Sequence, residues 1–173
     1  METNITVTTL HQLLDYDIRK LIHAEVQLRT SLSEWLHKAG SVKLKVVIQQ
    51  YQTFVERHVQ KMEGFFEVEK ISSFSLPNRI MQAFIDETNE MLFRSAQEEV
   101  RDVSLLACLQ EINHYKISTY GTAAAFAKTL SMEQIASVFH EAEINEKYID
   151  DQLSLLAENE INRKAKIPIV LSR

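Results

Sequence analysis

With 173 residues, 45% of them hydrophobic and 25% charged, the chain has enough apolar material for one buried core and too little length for two. Nineteen basic residues against 24 acidic ones give a formal charge of -5 with no Lys/Arg run to follow a phosphate backbone, so nucleic acid is excluded as the expected partner. Three glycines, two prolines and one cysteine exclude a disulfide framework and disfavour a many-stranded sheet, which leaves long helices and an all-α fold.

Met1 to Leu10 lacks the basic start and apolar core of a signal peptide, and no run of about 18 apolar residues occurs, so a soluble cytoplasmic protein without membrane contact is expected. A first helix is predicted from Thr8 or Thr9, either of which can cap it, to a stop at Gly40. Its apolar stripe is Leu14, Ile18, Leu21, Leu28, Leu32 and Trp35, and Glu25 falls inside that stripe. A second helix runs from a Ser41 cap to about Lys70, with Val47, Tyr51, Phe54, Val55, Met62 and Phe65 on its stripe and His58 among them. Ile71 to Asn78 combines Ser, Pro and Asn and reads as a crossing loop. A shorter helix over Arg79 to Arg94 then carries Ile80, Phe84, Ile85, Met91 and Leu92.

Past the acidic residues Glu98, Glu99 and Asp102 comes the central helix, striped by Leu105, Leu109, Ile112, Tyr120, Ala123 and Ala127, with Asn113 and Lys116 inside the stripe. Cys108, in the apolar run VSLLACL, reads as a small buried hydrophobe, and Gly121 predicts close packing against a neighbouring helix. Ser131 followed by Gln134 has the spacing of a capping box for the last long helix. That helix is striped by Ile135, Val138, Phe139, Ala142, Ile149, Leu153 and Leu156, and Asn145 with Glu146 interrupts it. The expected unit is one helical domain over 1–173, with its core at about 10–160 and a C-terminal tail at 161–173 that ends in IPIVL.

All four long helices thus break their apolar stripe near the middle, at Glu25, His58, Asn113 with Lys116, and Asn145 with Glu146. A charge buried alone costs several kcal/mol, so four breaks at comparable depth predict that these groups meet in one polar layer. Helical bundles build carboxylate-bridged metal pairs in such layers, and oxygen-rich ligand sets suit iron or manganese. Glu111 and His114 have the Glu-x-x-His spacing of such sites, but they lie off the stripe that holds Leu109 and Lys116. An ammonium at Lys116 would repel a dication and compete for the same carboxylates. The favoured reading is therefore a self-satisfied network, in which Lys116 donates to Glu25 and Glu146 while His58 and Asn113 complete the hydrogen bonds. The competing reading keeps a metal on Glu25, His58 and Glu146. His11, His23, His37 and His140 read as solvated or helix-end residues, and no phosphate loop, Cys-x-x-Cys pair or nucleophile elbow occurs.

LIHAEVQL in the first helix, EEVRDVSLLACLQEINHYKISTYGTAAAFA in the central one and EKYIDDQLSLLAE in the last resemble the YciF/YciE branch of the ferritin-like superfamily, bacterial stress-associated proteins of undefined activity. The likeness runs over about residues 10–160, and His114 to Thr122 is its most specific part. It implies a ferritin-like four-helix bundle with an additional short helix, commonly dimeric, and a di-metal carboxylate site. Glu25 matches the Ala-Glu acid of the family's first helix, and Glu146 matches one acid of its Glu-Glu-Lys. Elsewhere this chain departs from the pattern. The family's Glu-Thr-x-x-Gln falls on Phe54, Val55 and His58, its Glu-His-Tyr-Glu reads Asn113-His114-Tyr115-Lys116, and the first acid of Glu-Glu-Lys is Asn145. Four carboxylate positions are thereby Phe, Asn, Lys and Asn.

The expectation is a non-catalytic, stress-related homodimer without a cofactor, whose metal layer has become a Lys–Glu network of Glu25, His58, Asn113, Lys116, Asn145 and Glu146. The alternative is an iron or manganese protein with oxidase, peroxidase or storage-type activity, using Glu25, Glu56, His58, Glu143 or Glu146.

Overall fold

The Thr9 hydroxyl accepts a hydrogen bond from the Gln12 amide at 3.1 Å and starts α1, Leu10–Lys38, in a computed structural model that describes residues 6–69 and 76–166. Spacings of three and four put Leu14, Ile18, Leu21, Ala24, Leu28, Leu32 and Trp35 on one buried face of α1. Helix α2, Val42–Glu69, follows after a turn whose amides need acceptors. Asp102 supplies them from the next long helix but one: its Oδ1 and Oδ2 accept from the Gly40 and Ser41 amides at 2.8 Å each. Asp102 is buried, so what reads as one more acid of a helix start is the clasp between two helix ends.

The short helix α3, Arg79–Arg94, begins where the Asn78 Oδ1 accepts from the Met81 amide at 2.9 Å. Asn78 also donates to the Lys20 carbonyl and to the Tyr115 hydroxyl, and Trp35 donates to Asn89 at 2.9 Å, so α3 runs parallel to α1 against both α1 and α4. Helices α4, Glu98–Thr129, and α5, Glu133–Leu156, form an antiparallel hairpin. The Lys43–Glu160 ion pair sets α2 antiparallel to α5, and the Asp102 clasp sets α1 antiparallel to α4. Helices α2 and α4 therefore run the same way. A single long crossover containing α3 joins them, and the result is an all-α four-helix bundle with an additional short helix. No strand occurs among the described residues, and none of their helices is long and apolar enough to cross a membrane.

Several local expectations are corrected. Ser131 does not cap α5: it stands in the left-handed region at φ 57° and closes α4 instead. Its amide bonds to the Lys128 carbonyl and that of Met132 to the Ala127 carbonyl, the paired pattern of a Schellman ending, so Met132 takes the cap position without a side-chain acceptor. Ser131→Gly is expected to stabilise the fold by about 0.5–1 kcal/mol, because only glycine adopts that conformation without a Cβ penalty. A urea midpoint that falls in this variant would contradict the assignment. On α2 it is Phe66 that is buried, while Phe65 lies at the rim; on α3 Ile80 is exposed and Met81 packs in its place. His23 is half-buried, and its Nδ1 meets the Gln27 side chain and the Asn78 amide.

The chain also stays helical past its expected core boundary. A π turn, Ala157–Ile161, buries Ile161 and leads into a last helical turn, α6, Asn162–Lys164. The remainder of the tail with IPIVL, and positions 70–75 of the crossing loop, lie outside the described residues. A Cβ built on Gly121 would meet the Glu143 carboxyl at 3.3 Å, so α4 and α5 do approach closely there, and Cys108 is buried.

The buried apolar residues form two clusters rather than one. One holds Leu28, Leu32, Trp35, Leu44, Leu105, Leu109 and Leu153; the other holds Leu14, Ile18, Met62, Ala127, Ile135 and Phe139. What separates them is a layer of polar side chains across the middle of the bundle.

Candidate functional site

The same apolar spacing that builds each long helix carries one polar side chain of α1, α2 and α5 and two of α4 into this layer. Glu25 of α1, His58 of α2, Asn113 and Lys116 of α4 and Glu146 of α5 are all buried, the charged ones at 0% exposure. The Lys116 ammonium lies between the two carboxylates, 2.6 Å from Glu146 Oε1 and 3.0 Å from Glu25 Oε2. The first contact is an aligned hydrogen bond. The second holds by charge alone, since Glu25 Oε2 accepts no bond of good geometry.

Two tyrosines complete the carboxylates. Tyr51 donates to Glu146 Oε2 at 2.7 Å, and Tyr120 donates to Glu25 Oε1. Their rings also flank the ammonium, with centroids 4.8 and 5.9 Å from Nζ. Both had the appearance of ordinary stripe residues. A usable signal was present all the same: a buried tyrosine needs a partner for its hydroxyl, and these two sit seven residues before His58 and four after Lys116.

Asn113 donates from Nδ2 to the Glu146 carbonyl at 2.9 Å and to its Oε2 at 2.8 Å. His58 Nδ1 faces only carboxylate oxygens, at 3.3 Å from Glu25 and 3.7 Å from Glu146, so that nitrogen carries the proton. Its Nε2 is then free to accept from the half-buried Asn145 at 3.3 Å. Asn113 Oδ1 is buried and accepts no hydrogen bond.

Burial by itself would push the Glu25 carboxyl up, but the Lys116 charge and the bonds from His58 and Tyr120 outweigh it and hold it at about 2. Burial likewise opposes the Lys116 charge, and the two carboxylates more than offset that, raising its pKa above the ordinary value. Burial and the adjacent carboxylates both push Tyr51 and Tyr120 well up, so the phenols stay protonated donors.

Glu25, His58 and Glu146 offer ligand atoms within 4.8 Å of one another, the spacing of a metal triad. The donor set does not fit the di-metal group the resemblance implies. Two carboxylates cannot neutralise two divalent ions, and an ammonium already stands between them at hydrogen-bond distance from one and in ionic contact with the other. A gap beside His58 lies between α2 and α5 and is lined by Lys61, Tyr120, Glu141 and Asn145. The other candidates lie elsewhere. Glu111 and His114 are exposed, with His114 on Asp150 at 2.9 Å; Glu56 pairs with Arg29, and Glu143 with Lys147, both at the surface.

The model of the domain of unknown function DUF892 matches residues 9–166. The chain is 29% identical over 144 residues to the protein YciF of Escherichia coli K12, covering 83% of this chain and 87% of that one. Among solved structures it is similar to the E. coli stress protein YciF, at a TM-score of 0.85 and 26% identity over 91% of this chain and 99% of that one. It is also similar to YcfI from Rhodopseudomonas palustris, at 0.83 and 21% over 89% and 97%. With the bundle, the crossover helix and nearly the whole chain matched, the protein belongs to the DUF892 family.

Proposed function

We propose that this protein is a non-catalytic, ferritin-like, cytoplasmic homodimer with a stress-related role, in which a Lys–Glu network stands at the layer where the resemblance implies a metal site. The observation that carries the reading is the position of Lys116 Nζ, 2.6 and 3.0 Å from the two carboxylates of the layer. A fixed internal ammonium supplies the positive charge that a bound cation would otherwise bring, and it does so without an exchangeable site. The stress-related part rests on the description of the relative from E. coli.

The second reading, an iron or manganese protein, draws on the proximity of Glu25, His58 and Glu146. The two separate on metal content. Protein grown with added iron and manganese and purified without chelators is expected to carry far less than one equivalent of either, with an unfolding midpoint unmoved by EDTA. One equivalent of metal per chain that chelation removes, with loss of stability, would establish the second reading instead.

A further inference from the structure

We propose that α3 is a cover hinged at residues 95–97, which lifts off α1 and α4 while the four-helix bundle and its polar layer stay folded. The polar layer is built from α1, α2, α4 and α5, and so is the apolar cluster around Phe139. Helix α3 packs on α1 and α4 and anchors in the other cluster through three buried apolar side chains, Met81, Ile85 and Leu92. Phe93 stays outside at 91% exposure and adds nothing to that hold. The bundle is therefore closed without α3. An element whose contacts can be given up as a unit opens at a lower free energy than the whole fold.

The seam under α3 is rich in polar contacts. Asn78 donates to the Lys20 carbonyl at 3.1 Å and to the Tyr115 hydroxyl at 2.9 Å, and Trp35 donates to Asn89 at 2.9 Å. Gln27 donates to Gln82 at 2.6 Å, and the Ser95 and Ser104 hydroxyls meet at 3.0 Å. Water replaces each of these bonds when the seam opens, so their net hold is small beside that of buried apolar area. Thr88, in the middle of the buried face, turns its hydroxyl onto the Phe84 carbonyl of its own helix at 2.7 Å. Ser95 ends α3 in extended backbone, and residues 95–97 join it directly to α4, so the helix stays tethered when it lifts. Cys108 of α4 is buried and faces Thr88 of α3, so the movement bares its thiol.

The cover rests on neither the homodimer nor the Lys–Glu network of the reading above, and metal content does not enter its test. Cys108 is the reporter, since no other cysteine is present. Below the urea transition, its reaction with N-ethylmaleimide and the deuterium uptake of α3 are expected to follow one opening. That opening should be at least about 100-fold more frequent than the one that exposes the α5 amides, and its urea dependence should be shallower. Asn78→Ala removes the α3 cap and two bonds across the seam, and should speed Cys108 labelling about tenfold. Ile135→Val thins the cluster around Phe139, so it should speed α5 exchange roughly fivefold and leave Cys108 labelling unchanged. Equal urea dependence for α3, Cys108 and α5 would overturn the cover. So would Cys108 labelling that rises with α5 exchange in Ile135→Val, or that stays put in Asn78→Ala.

Discussion

Replacing Lys116 by methionine is expected to lower the unfolding free energy by about 3–5 kcal/mol at neutral pH, since it removes one partner of a buried ionic group and leaves the others charged. Lys116 is fully buried and its ammonium serves both Glu25 and Glu146, so the variant strands two carboxylates in a dry layer between two apolar clusters. For a chain of this size the thermal midpoint should fall by roughly 10 °C. The deficit should shrink as pH is lowered, because stranded carboxylates take up protons that Lys116 otherwise keeps off. Adding Glu146→Gln to Lys116→Met should recover part of the loss, and the double-mutant cycle isolates the pair. An unchanged urea midpoint in Lys116→Met would mean that the ammonium lies in solvent and that the layer is not a network.

The second large effect is on the acid limb of the stability curve. Glu25 is held at about 2 in the fold against an ordinary value of 4.5. Between those values the unfolded chain binds the extra proton, so stability falls as pH falls through that window. The contribution is on the order of 3 kcal/mol, fully present above the ordinary carboxylate value and lost by the time pH reaches the folded one. Denaturant titrations at stepped pH should show this slope in the wild type and lose it in Glu25→Gln. An identical slope in that variant would assign acid unfolding to other carboxylates. On the alkaline side the signs run the other way. The raised values of Lys116, Tyr51 and Tyr120 give stability that is present below the ordinary values of 10.5 and 10.0 and declines as pH rises through the folded ones.

Periodicity made the bundle legible because each long helix buries one face, so Leu14, Ile18, Leu21 and Leu28 announce α1 before any contact is known. The same periodicity placed Glu25, His58, Asn113, Lys116 and Glu146 on inward faces, since each stands where an apolar residue would otherwise be. Helix phase does not give distances, and so Tyr51 and Tyr120 passed as packing residues when their hydroxyls are what complete the carboxylates. Asp102 was hidden for a related reason: an acid near a helix start is ordinary, and only the return of α4 past the α1–α2 turn makes it an acceptor for two amides of another segment. Ser131 shows the limit of local motifs, because the spacing to Gln134 was right and the backbone used the residue to end α4. Long-range pairing decided each of these cases except the last, where one helix end competed with the next helix start for the same residue.

The group that stands between Glu25 and Glu146 decides between a Lys–Glu network and a metal site. A crystal structure of protein grown and crystallised with iron and manganese, with diffraction measured at the absorption edges of both metals, answers that directly. The predicted result is density continuous with the Lys116 side chain, its tip within hydrogen-bond reach of both carboxylates and without anomalous signal. An anomalous peak coordinated by Glu25, His58 and Glu146, with Lys116 turned away, would contradict the account.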